Sequence, residues 1–291
     1  MNTIRIIPRL DVKGPNLVKG IHLEGLRVLG KPEKFARYYY ESGADELIYM
    51  DVVASLYGRN SLIDIVERTS KEIFIPLTVG GGLRTIDDIR NVLRAGADKV
   101  SLNTAAISNP DFIKEASKRF GSSTILISIE AIKKPDGTYE AYTDNGREKT
   151  GVDVFQWAER VAEYGAGEIM VTSIDNEGTG KGFDLELTKR ISESVPIPVI
   201  ACGGAGTTDH VADVVEKGKA DAVSIASIFH YNFIRHCKLE DDFSGEGNIE
   251  YLKKAKMGFS KIQDTSLHEI KKILIPKGIN CRYSTEETVH G

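Results

Sequence analysis

Eight short apolar runs punctuate the chain, and a stretch with helical spacing follows each. The runs are "IRIIPRLDV", "ELIYMDVVA", "PLTVGG", "KVSLNT", "TILISIEA", "EIMVTSID", "PVIACGG" and "AVSIAS". Between them lie amphipathic segments such as "KPEKFARYYYESG", "TIDDIRNVLRAG" and "TTDHVADVVEKG", which end near glycine as helices do. Strand then helix, repeated, predicts a parallel sheet joined by right-handed crossovers. Eight such units fit a closed (β/α)8 TIM barrel, which typically takes roughly 250 residues. An open doubly wound sheet would use the same elements.

An internal echo favours the barrel. "TVGGGLRTIDD" at residues 78–88 has the form of "VIACGGAGTTD" at 199–209, with Gly80 and Gly81 falling on Gly203 and Gly204. At the same offset, "KVSLNTAAI" from Lys99 falls on "AVSIASIFH" from Ala222. Two four-unit halves that close on each other have this twofold repeat. The expected organisation is a single α/β barrel over residues 1–283. The rhythm breaks at about 236–264, which is expected to be an insertion near the barrel mouth or flank, and 284–291 is expected to be a disordered tail.

Composition excludes several classes. A net charge of −4 gives no reason to expect nucleic acid. No apolar run approaches membrane-spanning length, and the N-terminus enters a strand pattern without a signal peptide. Cys202, Cys237 and Cys281 lie far apart, which suits reduced thiols of a cytoplasmic protein. Neither they nor the six histidines show metal-ligand spacing, so no metal site is expected, and His230 is read as structural or at most peripheral.

In such a barrel, chemistry sits on the loops after the C-terminal strand ends. Glycine there lets phosphate oxygens approach backbone N–H groups, and a helix N-terminus favours the anion. One cradle is expected at Gly82, Asn103 and Thr104, the other at Gly178, Gly203, Gly204, Ala226 and Ser227. Two anion sites across one mouth imply a substrate with a phosphate at each end. The simpler alternative is that these glycines only serve tight turns. Asp11 ends the first strand and Glu130 ends the fifth, so the two carboxyls should face each other as an acid–base pair. Alternatively each is a strand-end carboxylate paired with Lys13 or Lys133. Asp51, Asp175 and Glu177 add acids to the rim, where capping is the competing reading. Lys19, in a long loop after the first strand, is expected to be mobile and to close over a phosphate.

The motifs "RIIPRLDVK", "LVKG", "TVGGGLRT", "GADKVSLNTAAI", "GAGEIMVTSID", "GTGKGFD" and "VIACGGAG" closely resemble the cyclase subunit of imidazole glycerol phosphate synthase. The likeness runs to about residue 234 and resumes at "SLHEIKKILIPKGINCRY". It implies a barrel that combines ammonia with phosphoribulosyl-formimino-AICAR phosphate, a twin-phosphate ribonucleotide. The products are imidazole glycerol phosphate and AICAR. It also implies a heterodimer in which a glutaminase (HisH-like) docks on the N-terminal face and passes ammonia through the barrel. Carried over by position, Asp11 and Glu130 are catalytic, and Thr172 joins the substrate contacts. Arg5, Glu46, Lys99 and Glu168 form an ammonia gate, and Asp98 contacts the partner.

Four positions depart from the family pattern. Glu130 and Glu177 stand where the family has Asp, Arg9 stands where it usually has Cys, and Cys202 stands at the first place of its "SGGAG". These departures keep open a paralogue that supplies ammonia for amidation of a nucleotide-linked or surface-polysaccharide sugar. A pure scaffold or ammonia conduit is a third, non-enzymatic reading.

Overall fold

The structure, a computed structural model, describes residues 3–54, 62–237 and 262–283. Twelve strands form one sheet: β1 (Arg5–Lys13), β2 (Asn16–Ile21), β3 (Glu24–Gly30), β4 (Leu47–Asp51), β5 (Leu77–Gly80), β6 (Lys99–Leu102), β7 (Ile125–Lys133), β8 (Tyr139–Thr143), β9 (Glu148–Asp153), β10 (Glu168–Ser173), β11 (Val199–Cys202) and β12 (Ala222–Ile225). Eight of them, β1, β4, β5, β6, β7, β10, β11 and β12, pair in parallel in that order, and β12 returns to β1. These are the eight apolar runs of the sequence, closed into a barrel. Parallel staves are covered on both faces, which is why they read as continuous apolar runs rather than alternating ones. Every residue of β4, β10 and β12 is buried.

The surrounding helices are α1 (Pro32–Glu41), α2 (Ile63–Thr69), α3 (Ile86–Arg94), α4 (Thr104–Ser108), α5 (Asp111–Phe120), α6 (Val154–Glu163), α7 (Leu185–Ser194), α8 (Thr208–Glu216), α9 (Ser227–His236) and α10 (Leu267–Leu274). Their starts are written in the sequence. Thr85 with Asp88, and Ser266 with Glu269, form capping boxes. Asp153, Asp184 and Thr207 cap α6, α7 and α8 through their side chains. Each such cap contributes about 1 kcal/mol. The main core lies between staves and helices, around Leu10, Tyr39, Tyr49, Val100, Ile127 and Trp157. A second, smaller core fills the lumen with Ile7, Ile48, Leu126, Met170, Ile200 and Ala222.

The segment after the first stave differs from expectation. It is not a long loop but a hairpin, β2–β3, whose turn at His22 and Leu23 is left-handed without the glycine or asparagine that usually marks one. A matching extension, β8–β9, follows the fifth stave and turns at Asp144, Asn145 and Gly146. Here "DNG" was a legible turn signal. β1 and β7 each have nine residues, and their ends overrun the barrel. There they pair antiparallel with the extensions, Asp11 against Val18 and Glu130 against Tyr142. Both expected catalytic carboxyls therefore sit where a stave leaves the barrel.

At the opposite face, a joint recurs. Asp45, Asp98 and Asp221 each precede an even-numbered stave. Their carboxylates accept the N–H of Ile6 (2.8 Å), Leu77 (2.9 Å) and Val199 (2.9 Å) on the preceding odd stave. Their own N–H groups donate back to the carbonyls of those residues. In the remaining pair, β7 and β10, Gly167 occupies the place of the aspartate and keeps only the backbone bond, to Ile125. A Cβ there would lie 2.2 Å from the Ser122 carbonyl oxygen, so no side chain fits.

Residues 238–261, most of the expected insertion, and 284–291 lie outside the described residues. The flanks are anchored. Arg235 pairs with Asp264 at 2.6 Å, and the Gln263 N–H donates to the Gly206 carbonyl at 2.8 Å.

Candidate active site

The mouth is built around β1. Arg9 and Asp11 are two residues apart and so point to one face, the lumen. Arg9 is 1% exposed. Its Nε donates to Asp11 Oδ1 at 2.8 Å, and its Nη1 reaches Thr172 Oγ1 at 3.4 Å and Cys202 Sγ at 3.5 Å. Burial opposes its charge, but Asp11, Cys202 and Glu177 outweigh burial and hold the guanidinium firmly protonated. Nη2 has no partner among the described residues.

The β2–β3 hairpin carries Lys19 back over the lumen, where it is 3% exposed. Its ammonium is ion-paired with Glu177 and donates to the Gly20 carbonyl at 3.0 Å. This corrects the expectation of a mobile loop lysine, since strand pairing and a buried partner hold it. Burial opposes its charge too, and Glu177 and Asp11 more than offset that.

Glu130 is the odd charge. It is 4% exposed, and among the described residues it has no ion-pair partner. Its Oε2 accepts the Gly146 N–H at 2.8 Å from the turn of the β8–β9 extension. Burial pushes its carboxyl up to about 7, against the pull of Arg9 and of the Gly146 N–H. The lysine pairings considered for the two carboxyls do not occur. Asp11 takes Arg9, and Lys133 takes Glu186 at 2.7 Å. Asp51 is buried and accepts the Val53 N–H at 3.1 Å. Asp175 accepts the Lys133 N–H at 2.9 Å, as loop capping predicts. Thr172 is fully buried beneath the rim, beside the Arg9 guanidinium.

The doubled glycine loops are doubled in backbone conformation. Gly80 and Cys202 end equivalent staves, so Gly81 matches Gly203, with φ of +97° and +90°, and Gly82 matches Gly204, with φ of +70° and +106°, one residue off the sequence alignment. A Cβ would lie 2.2 Å from the Asp51 carbonyl oxygen at Gly81 and 2.0 Å from the Gly182 carbonyl oxygen at Gly204. Backbone crowding by itself therefore requires glycine at both. The loop partners match as well. Asn103 caps α4 with φ −136° and ψ −85°, and Ala226 caps α9 with φ −115° and ψ −70°. Gly82, Asn103, Thr104 and Glu130 line one pocket at the mouth. Asn103 donates to the Tyr142 carbonyl at 3.2 Å, and Thr104 Oγ1 accepts the Asp144 N–H at 3.2 Å. On the other side, Gly178 packs against Gly20 of the hairpin, Gly203 lies beside Glu177, and Ser227 is buried at the start of α9.

At the floor, Arg5 contacts Glu46 and Glu168, both at 2.7 Å, and Lys99 contacts the same two, both at 3.0 Å. The four expected gate residues form one closed ring. Asp98 is exposed beside it, with one oxygen taken by the Leu77 N–H. His230 is buried and accepts or donates to Tyr39 Oη at 2.6 Å. Burial and the nearby Lys19 push its pKa down to about 3, so it is neutral and structural, as expected.

Sequence reasoning noted Arg9 only as a departure from pattern and missed its contacts. The spacing Arg-x-Asp on a strand was the available signal. No group of histidine, cysteine, aspartate and glutamate among the described residues could hold a metal ion. No helix among them is long and apolar enough to cross a membrane.

The family model for histidine biosynthesis proteins matches residues 5–235. Imidazole glycerol phosphate synthase subunit HisF of Legionella pneumophila is 60% identical over 206 residues, 71% of this chain and 97% of its own length. The subunit of the same name from Alkaliphilus metalliredigens (strain QYMF) is 50% identical over 232 residues, 80% of this chain and 92% of its own. Matches of this extent, over the staves that carry the site, place the chain in the histidine biosynthesis protein family, as a member of the HisF cyclase subunits of imidazole glycerol phosphate synthase.

Proposed function

We propose that Asp11 and Glu130 are the acid–base pair with which this barrel performs the cyclase reaction. The chain is a cyclase subunit of imidazole glycerol phosphate synthase, a lyase of histidine biosynthesis. Closing an imidazole ring with ammonia removes N–H protons and expels oxygen as water. One group must take protons and another must give them. The observation that carries the assignment is the unlike setting of the two carboxyls. Asp11 is ion-paired with a guanidinium, which suits a base. Glu130, uncompensated and with its carboxyl at about 7, suits an acid at neutral pH.

The substrate is the twin-phosphate ribonucleotide of the family. One phosphate is assigned to Gly82, Asn103 and Thr104, the other to Gly178, Gly203, Gly204, Ala226 and Ser227. Asp51, Thr172, Lys19 and Glu177 shape the space between. Both glutamates that stand in place of the family's aspartates are engaged: Glu177 pairs with Lys19 and Glu130 accepts the Gly146 N–H. That accommodation supports the cyclase over the sugar-amidation reading. Ammonia is assigned to a docked glutaminase, entering through the Arg5, Glu46, Lys99 and Glu168 ring with Asp98 at the contact.

The test is the nucleotide with ammonium salt and a direct assay for AICAR. Product formed by the wild type and lost in Asp11→Asn supports the assignment. A wild type that binds the nucleotide and releases no AICAR overturns it. Soaked sulfate should occupy both loop pairs, and density at neither removes the phosphate assignment.

A further inference from the structure

Arg9 places a buried cation beneath the mouth, between the two carboxyls to which the chemistry is assigned. Its head group touches three staves: β1 through Asp11, β10 through Thr172 and β11 through Cys202. Thr172 is in register with Glu130 on one side and with Cys202 on the other. The guanidinium therefore spans from the Asp11 stave towards the Glu130 stave, one layer below the rim. A buried charge this deep costs several kcal/mol unless it is compensated. Asp11 compensates it through Nε alone, which leaves Nη2 without a partner.

We propose that Arg9 is a positioning residue of the cyclase reaction, a fixed cation that orients Asp11 through Nε and, held at Thr172 in register with Glu130, supplies the positive charge that Glu130 faces across the lumen. The inference rests on the assignment of Asp11 and Glu130 as the reacting pair. The charged and titratable groups around the network are Asp11 on β1, Lys19 on β2, Asp51 on β4, Arg84 after β5, Cys202 on β11, Glu177 after β10, Asp144 after β8, and His230 and Tyr231 on α9. Lys19 is held by Glu177, and His230 is neutral. Arg9 is the cation that acts against the burial of Glu130. A smaller neutral side chain at this place would leave Asp11 without its bond and Glu130 harder to ionise.

The experiment compares the wild type with Arg9→Met and Arg9→Lys. The rate with ammonium salt is followed against pH, and the Glu130 carboxyl carbon is titrated by NMR in each folded protein. In Arg9→Met the Glu130 titration should rise by about one pH unit, because a neighbouring charge has gone. The alkaline limb of kcat should rise with it. The kcat optimum should fall by about tenfold or more with KM within a few-fold, as loss of orientation predicts. Arg9→Lys keeps the charge and should keep the titration near wild type while losing part of kcat. An unchanged Glu130 titration in Arg9→Met overturns the proposal and leaves Arg9 as packing alone. If Arg9→Met does not fold, the same comparison with Arg9→Gln decides it. The NMR titration needs no turnover, so an enzyme that shifts as expected but makes no AICAR refutes the reaction assignment, and the catalytic part of the Arg9 role with it, while an enzyme that makes AICAR but shows no shift refutes the Arg9 role alone.

Discussion

The two ends of the lumen each hold a small assembly of charges, and the two are built differently. At the floor, two cations and two carboxylates alternate, and every member touches both of its opposites. At the mouth there are two separate pairs, Arg9 with Asp11 and Lys19 with Glu177, and a further carboxyl, Glu130, with no cation of its own. Two positive and two negative groups make the net charge of the floor ring zero. At the mouth Glu130 stands buried outside both pairs, and that burial is what moves its carboxyl up to about 7.

The sharpest way to break the comparison is Asp11→Asn. Proton transfer by a placed side chain is worth ~10²–10⁴-fold. Ammonia-dependent turnover should therefore fall by about a thousandfold, with nucleotide affinity within a few-fold, in single-turnover and binding assays.

Glu130→Gln tests the carboxyl outside both pairs. Turnover should drop by ~100-fold, and the alkaline limb near neutrality should vanish from the pH profile. Stability should move the other way. The Glu130 carboxyl is raised in the folded state from 4.5 to about 7, so it binds its proton more tightly than the unfolded chain does. Its contribution is fully present below pH 4.5 and is lost as pH rises through about 7. At pH 8 that loss is about 3 kcal/mol, so Glu130→Gln should be more stable than wild type by that order there and indistinguishable near pH 4. Urea melts at the two pH values read this directly.

Lys99→Met opens the floor ring and leaves Glu46 and Glu168 sharing Arg5. Glutamine-dependent activity with the partner should fall several-fold or more, while activity with free ammonium salt survives. The ring is partly exposed, so the stability cost should be only about 1–2 kcal/mol. Equal loss with both nitrogen sources would mean that the ring only plugs the barrel. The smallest effect belongs to Asp98→Ala, which removes one strand-end hydrogen bond and should cost about 1 kcal/mol in denaturant melts.

The barrel was legible because each stave carries its own apolar run and each helix its own breaker. Thr85 and Ser266 announce their helices by local pairing with Asp88 and Glu269. The extensions were not legible to the same degree. The β2–β3 turn uses His22 and Leu23 in left-handed conformations that tertiary contacts impose, among them the Glu177 carbonyl bonded to the His22 N–H at 2.9 Å. Hence Lys19 looked like a loop residue. The opposition of Asp11 and Glu130 follows from counting staves. Their unlike settings depend on Arg9 and Gly146, contacts that no spacing rule supplies.

The aspartate joints carry a consequence for recombination. Each joins an odd stave to the even stave that follows it, Ile6 to Asp45, Leu77 to Asp98 and Val199 to Asp221, and Gly167 serves Ile125 through backbone alone. The joint lies wholly inside a two-stave module and never crosses to the next. Chimeras with relatives should therefore tolerate crossovers in the segments before Leu77, Ile125 and Val199, which keep every joint within one parent. A crossover between Leu77 and Asp98 splits a joint between two parental backbones, and hybrids joined there should be the less stable ones.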